Sequence, residues 1–434
     1  MYTAPMSVAA PARSDGEAGI RPWTLRRVIS AGVIGNILEW YDFAVYGFFA
    51  PILAEQFFPA GDRRVSLLAA FGAFAVGFLM RPVGAAIFGH IGDRYGRARA
   101  LLISIAMMAI PTVLMGLLPT YATIGVAASL LIVVLRMFQG IAVGGEFTSS
   151  MVFLAEHAPA GRRGLFSSWS MFGATTGTML GSAVGAALSN LLSPEALAAW
   201  GWRAAFISGI AVAVVGVVIR RNMFDRPATV PSISPLRLAY RQHRREVLRV
   251  FGMNMAPAAT YYMLFVYAAT WMAETTSLAR STALDITTLS ILTFLVTLPI
   301  AAWLSDRFGR KLMLLVGMTT CLIFSYPLLW LMHETGAVAV AAGQMTFAAL
   351  FALYMAPIPA AMCEMFPHNV RVSAVSIGYG LAYAIFGGTA PAVAVWLNSV
   401  TGNDLAFAWY IVILTAMSLT VALTIRERRS GPLP

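Results

Sequence analysis

The sequence predicts an all-α polytopic membrane protein with twelve transmembrane helices arranged as two pseudo-symmetric six-helix bundles. Three observations predict it. The 434 residues are 59% hydrophobic and only 11% charged, with mean hydropathy +0.75, whereas a soluble domain carries about 25% charged residues. Apolar runs long enough to span a bilayer, about 20 residues each, recur along the chain. Finally, two motifs occur twice at nearly the same offset.

The spans fall at about 28–54, 65–91, 99–118, 121–148, 164–190, 203–221, 248–272, 284–304, 311–332, 337–362, 372–397 and 404–425. Residues 1–22 form a Pro/Ala/Ser-rich N-tail expected to be disordered, with no cleavable targeting segment evident. The first bundle occupies 23–221, a Pro- and Arg-rich cytoplasmic linker 222–247, the second bundle 248–425, and a short tail 426–434. Lys and Arg orient the chain. With a cytoplasmic N-terminus, 24 lie on the cytoplasmic side and four outside: Arg63, Arg64, Arg203 and Arg280. Both termini then face the cytoplasm. The net charge of +11 follows from this topology and does not indicate nucleic acid. Cys321 and Cys363 lie in or beside apolar runs and make no disulfide or metal framework.

The repeats carry the gate. GHIGDRYGRAR (89–99) follows the second span and WLSDRFGRK (303–311) the eighth. EHAPAGRR (156–163) and EMFPHNVR (364–371) both read Glu-x-x-Pro-x-x-x-Arg. Glycines permit tight turns and close backbone approach, while Asp and Arg at cytoplasmic helix ends can pair across to neighbours. The residues expected to latch the cytoplasmic side are Gly89, Asp93, Arg94, Gly96, Arg97, Glu156, Arg163, Asp306, Arg307, Gly309, Arg310, Glu364 and Arg371. Exposed pairs of this kind are worth about 0–1 kcal/mol, but a matched duplicate points to a gate. Parallel repeats about an axis along the membrane normal are a transporter architecture, with substrate near the midplane between them.

GNILEWYDFAVY (35–46) places Glu39 and Asp42 on one face of the first span. They lie about 16 and 21 Å along the helix. Arg81 and Arg136 reach similar depth from the second and fourth spans. Buried charges without partners are prohibitive, so the expected pairs are Asp42 with Arg136 and Glu39 with Arg81. Helix shifts that alter such pairs would load or release a proton, which makes Asp42, Glu39, Arg136 and Glu146 the proton-coupling candidates. Arg81, Tyr41, Tyr46, Gln139, Asn254, Tyr261, Tyr262 and Tyr267 are the candidates to line a substrate cavity. Tyr261 and Tyr262 point about 100° apart on a helix, so only one of them faces it. The run GATTGTMLGSAVGAA (173–187) reads as close helix packing. APIP (356–359) marks a bend in the tenth span.

GHIGDRYGR and its partial second copy resemble the loop signature of the major facilitator superfamily. GNILEWYDFAVYGFFAP, FLMRPVGAAIFGHIGDRYGR and RMFQGIAVGGEF resemble its metabolite:proton symporter family, over residues 20 to 425. The resemblance implies proton symport, and it puts Arg136 and Gln139 where superfamily symporters often carry a coupling arginine. Members take citrate, α-ketoglutarate, shikimate, or proline and betaine. Ala302 replaces the usual leading Gly of the second loop motif, which implies a weaker second latch. YYMLFVY (261–267) looks closer to the proline/betaine branch and AIFGGTAPA to the citrate branch. The chain stops soon after Arg429, without the coiled-coil extension of osmosensory members, so an organic acid of the citrate/α-ketoglutarate type is the expected substrate. The alternatives are a proline/betaine-type symporter or an exporter of the same fold. The fifth span lacks the Pro of drug exporters. No metal cluster, nucleophile–His pair or nucleotide loop is present. No catalytic or metal residue, cofactor or enzyme activity is therefore assigned. The expected partners are a small solute, protons and the lipid bilayer of a bacterial-type inner membrane, with a functional monomer.

Overall fold

The computed structural model describes residues 25–95, 97–143, 146–211, 214, 242–334, 336–428 and 433, with the backbone alone at 25–28, 31–32, 38, 89–90, 92–95, 97–102 and 334. The tails, most of the 222–247 linker and the end of the sixth span lie outside these residues. Every regular element among them is helical. Eight are long and apolar enough to cross a membrane.

In the N-terminal half, α1 (Leu25–Phe57) is followed by α2 (Arg63–Leu79) and α3 (Arg81–Tyr95). Met80 turns between α2 and α3 because Pro82 has no N–H to continue the helix ladder. Next come α4 (Arg97–Leu117), α5 (Val126–Ala142), α6 (Glu146–Glu156), α7 (Arg163–Leu191) and α8 (Trp202–Ile207). The C-terminal half begins with α9 (Arg244–Tyr262), a π-helical turn Met263–Tyr267, and α10 (Ala268–Thr275). It continues through α11 (Arg280–Phe308), α12 (Arg310–Glu334), α13 (Ala337–Met355), α14 (Ile358–Cys363) and α15 (Arg371–Ala382). A second π-turn, Tyr383–Gly387, leads to α16 (Ala390–Thr401) and α17 (Ala406–Leu423). The bend expected at APIP is the break between α13 and α14.

Small residues set the helix spacing inside the N-terminal half. A Cβ on Gly173 or Gly177 would lie 2.6 or 2.3 Å from the carbonyl oxygens of Val33 or Ile37, so α7 lies directly on the α1 backbone. On Gly140 it would lie 1.9 Å from the Gly77 carbonyl, and on Gly84 1.9 Å from that of Ile141. These backbone contacts hold α2–α3 against α5, which brings Arg81 and Arg136 to the same depth.

The halves meet at both ends of the membrane. At one end, Arg63 pairs with Glu55 of its own half and, at 3.1 Å, with Glu274 of the other. Arg280 donates to the Phe48 carbonyl at 2.8 Å. Along α7 and α11 the contact is polar at several levels: Asn190 with Asp285, and Ser182 with Thr288 at 2.7 Å. On the opposite face it is apolar, and the Phe78 side chain fills the space where a Cβ on Gly388 would be, its own Cβ 2.4 Å and its ring Cγ 2.5 Å away.

Candidate functional site

At the end opposite Arg63 and Glu274, contacts join the duplicated motifs crosswise. Arg371 of the second copy donates to Glu156 of the first. Arg163 of the first pairs with Glu364 of the second at 3.5 Å. Each Glu-x-x-Pro-x-x-x-Arg motif thus supplies its acid to the other's base, as a pseudo-two-fold interface requires. Arg371 is fully buried and also donates to the carbonyls of Cys363 and Phe366, at 3.0 and 3.1 Å. Arg310 reaches Glu364 at 3.4 Å and Asp306 at 2.8 Å. Asp306 in turn accepts the N–H groups of Gly164 and Leu165 at 2.8 and 2.9 Å. A carboxylate at a helix N-terminus satisfies orphan donors and meets the positive end of the helix dipole. Gly309 makes the motif's turn with φ +111°, open to glycine alone at low cost. Arg307 lies at the exposed end of α11. Burial pushes the Glu364 carboxyl up from its ordinary range, with Arg310 and Arg163 pulling the other way. The latch residues of the first loop fall elsewhere: the structure leaves undescribed the side chains of Gly89, Asp93, Arg94 and Arg97, and Gly96 altogether.

At mid-membrane the N-terminal half holds all four expected charges, each at least nine-tenths buried. The expected Asp42–Arg136 ion pair is not made, although the two charges act on each other. Arg136 donates through Nη1 to Gln139 at 2.8 Å, and Gln139 donates to Thr112 at 2.7 Å. Asp42 faces Thr112 and Gly209. Gln139 and Thr112 therefore stand as a polar bridge between the guanidinium and the carboxylate. The guanidinium carbon of Arg136 also lies over the Tyr46, Phe43 and Phe74 rings at 4.4, 4.5 and 5.1 Å.

Nor does Arg81 pair with Glu39. It lies over the Phe78 and Phe43 rings at 4.0 and 4.8 Å, with Trp40 at 5.8 Å. Its Nε and Nη2 are buried and meet no acceptor on the protein, as do the Trp40 Nε1 and Tyr262 hydroxyl. Trp40 stacks on Tyr262 at 6.0 Å and meets Tyr261 at 5.4 Å. These groups lie buried where the two halves pack against each other.

Tyr261 and Tyr262 both pack against Trp40. Tyr262 joins the aromatic cluster, and Tyr261 shares a 2.9 Å hydrogen bond with the Thr178 hydroxyl of α7. The remaining cavity candidates lie elsewhere. The Tyr41 hydroxyl meets Ser208 at 2.7 Å, and Tyr46 donates to the Ala70 carbonyl at 3.0 Å. Asn254 donates to the Val250 carbonyl at 2.7 Å inside the C-terminal half. Tyr267 lies nearer the outer end, against Phe71 and Phe407. Glu146 opens α6, away from the Asp42 bridge. Sequence reasoning missed Trp40, Phe78, Phe147, Tyr379 and Tyr383. The one available signal was the i, i+4 spacing of Tyr379 and Tyr383, which stacks their rings at 4.1 Å.

A family model described as "Sugar (and other) transporter" matches residues 28–225 and 219–430. The chain is 32% identical to the proline/betaine transporter of Salmonella typhimurium, over 94% of this chain and 85% of the other. It is 33% identical to the α-ketoglutarate permease of Escherichia coli, over 94% and 96%. It is 32% identical to the citrate-proton symporter of Klebsiella pneumoniae, over 98% and 96%. Among solved structures, the proton:xylose symporter XylE superposes with a TM-score of 0.74 at 18% identity, covering 92% of this chain and 95% of that one.

Proposed function

The chain belongs to the sugar (and other) transporter family of the major facilitator superfamily, a family of transporters and not of enzymes, and from that premise we propose that it imports a small carboxylate-bearing metabolite together with protons. The observation that carries this reading is Arg81. Its guanidinium offers buried donors without an acceptor where the halves meet, and a substrate carboxylate would satisfy them as a charge-assisted pair.

Asp42 carries the transported proton in this mechanism. A shift of α1 against α4 and α5 changes whether Arg136 is held by Gln139 or drawn to Asp42, and so changes how readily Asp42 keeps its proton. Glu39 and Glu146 are the further acids on the same half. The crossed cytoplasmic pairs form the inner gate, and Arg63 with Glu274 the outer one. Both termini lie in the cytoplasm, the membrane is a bacterial inner membrane, and one chain suffices. The proton gradient is the energy source, with no cofactor.

The test is uptake by proteoliposomes, inside-alkaline against no gradient, with labelled citrate, α-ketoglutarate, proline and betaine in parallel. Accumulation of one of these that needs the pH gradient is expected. Accumulation indifferent to the gradient would contradict proton coupling.

A further inference from the structure

The hydrogen bonds that lead from Arg136 towards Asp42 have a forced direction. A guanidinium only donates. Arg136 Nη1 donates to the Gln139 side-chain oxygen at 2.8 Å, so the amide nitrogen of Gln139 is left to face Thr112, and it donates to the Thr112 hydroxyl oxygen at 2.7 Å. That hydroxyl has one proton to give, and two acceptors compete for it. One is the Met108 carbonyl, a turn back along α4, at 2.9 Å. The other is the Asp42 carboxyl, which faces the hydroxyl from α1 and whose buried Oδ1 meets no donor. Gly209 closes the same corner: a Cβ there would lie 3.1 Å from both Asp42 Oδ1 and Thr112 Cγ2.

We infer that Thr112 is a positioning residue for proton coupling, its single hydroxyl proton turned to Met108 while Asp42 carries the transported proton and to Asp42 once that proton has left. The inference rests on the reading that Asp42 is the proton carrier. With the hydroxyl on Met108, the arrangement suits a neutral Asp42, since a buried anion would draw the nearest donor. When Asp42 gives its proton to water on the open side, the Thr112 O–H rotates about its own C–O bond. No heavy atom has to move, and Thr112 keeps its proton. Every donor in the row Arg136, Gln139 and Thr112 then points towards the carboxylate, and such a row polarises its own bonds. While Gln139 holds Arg136, it is therefore Thr112 that answers the loss of the proton. Arg136 acts on Asp42 from α5, and Tyr41 interacts with it from the same helix, with Glu39 three residues before it. The other helices packed on α1 carry charge towards their ends: α2 in Arg63 and Arg64, α6 in Glu146 and Glu156, α7 in Arg163, α8 in Arg203 and α10 in Glu274.

The experiment is a pH titration of the purified full chain by infrared difference spectroscopy, following the C=O stretch of protonated carboxyl groups. Subtraction of the Asp42→Asn spectra isolates Asp42. Thr112→Val removes the hydroxyl and should move the Asp42 midpoint up by about one pH unit, the worth of one hydrogen bond to a charged group. Thr112→Ala, which removes the same hydroxyl, should shift it alike, and Thr112→Ser, which keeps one, should hold the wild-type midpoint. A wild-type midpoint in Thr112→Val and Thr112→Ala, or a shift in Thr112→Ser as large as theirs, would overturn the role of the hydroxyl. A titration in which Asp42→Asn removes no band would instead overturn the reading of Asp42 beneath it. A thermal transition matching wild type shows that each variant has folded.

Discussion

The two halves carry the same two motifs, yet they differ most where they face each other midway along the helices. The N-terminal half buries Glu39, Asp42, Arg81 and Arg136 there, and the C-terminal half brings Tyr261, Tyr262, Tyr379 and Tyr383. At the end that carries the duplicated motifs they remain alike, with Glu156 on Arg371 and Arg163 on Glu364. The contrast has a physical reason. An interface about a two-fold axis is self-complementary only if each copy keeps both the acid and the base. A site that must hold an asymmetric solute and pass a proton gains nothing from symmetry, so one half can specialise in charge and the other in aromatic faces.

That division can be broken at several points. Arg81→Gln removes a buried cation whose Nε and Nη2 meet no acceptor on the protein, and gradient-driven uptake of the substrate should fall at least a hundredfold, since a buried charge-assisted contact is worth about 3 kcal/mol or more. Uptake near wild type would show that this charge is structural. At the gate, Glu156→Arg should reduce transport about tenfold by placing two cations together, and adding Arg371→Glu should restore most of it. A double swap no better than the single one would mean that the crossed pairing is not what closes the inner side.

A smaller effect is expected from pH. The Glu364 carboxyl is pushed up in the closed gate by burial. At low pH it is protonated whether the gate is closed or open, and pH has no leverage. As pH rises from the ordinary 4.5 towards the raised value, the closed gate holds its proton longer than an exposed carboxyl would. The closed form therefore loses stability across that window and changes no further above it. Labelling of an engineered cysteine behind this gate, taken relative to the same cysteine in the unfolded chain so that the pH dependence of the thiolate cancels, should speed up over this range in wild type and stay flat in Glu364→Gln. The least effect belongs to the outer side. Arg63 is 61% exposed, and Arg63→Gln should alter transport only a few-fold, since an exposed pair is worth at most about 1 kcal/mol. A larger loss would make the outer latch as important as the inner one.

Much of this arrangement was legible in the residues. Hydropathy and the paired motifs give the membrane fold, and helical rise gives the common depth of Glu39, Asp42, Arg81 and Arg136. Depth is not rotation, however. The expected direct pairs required the side chains to face each other, but Gln139 and Thr112 lie between Arg136 and Asp42, and the rings of Phe43 and Phe78 take Arg81. Tyr41 has the right depth and turns instead to Ser208. The aromatic cluster was not legible for a related reason. Trp40, Phe78, Phe147, Tyr262, Tyr379 and Tyr383 come from five different helices, and in each helix alone an aromatic residue reads as ordinary core. The backbone contacts at Gly77, Gly84 and Gly140 set only α2 and α3 against α5, and the meeting of the other rings depends on how the two halves pack.

The most direct test of the division between the halves is Asp42→Asn in proteoliposomes, measured twice with the same labelled substrate: net accumulation driven by a pH gradient, and exchange at equal concentrations without one. The account predicts that accumulation is lost while exchange persists, because the proton is carried by the N-terminal half and the substrate is held between the two. Accumulation at the wild-type level would remove Asp42 from coupling and contradict it.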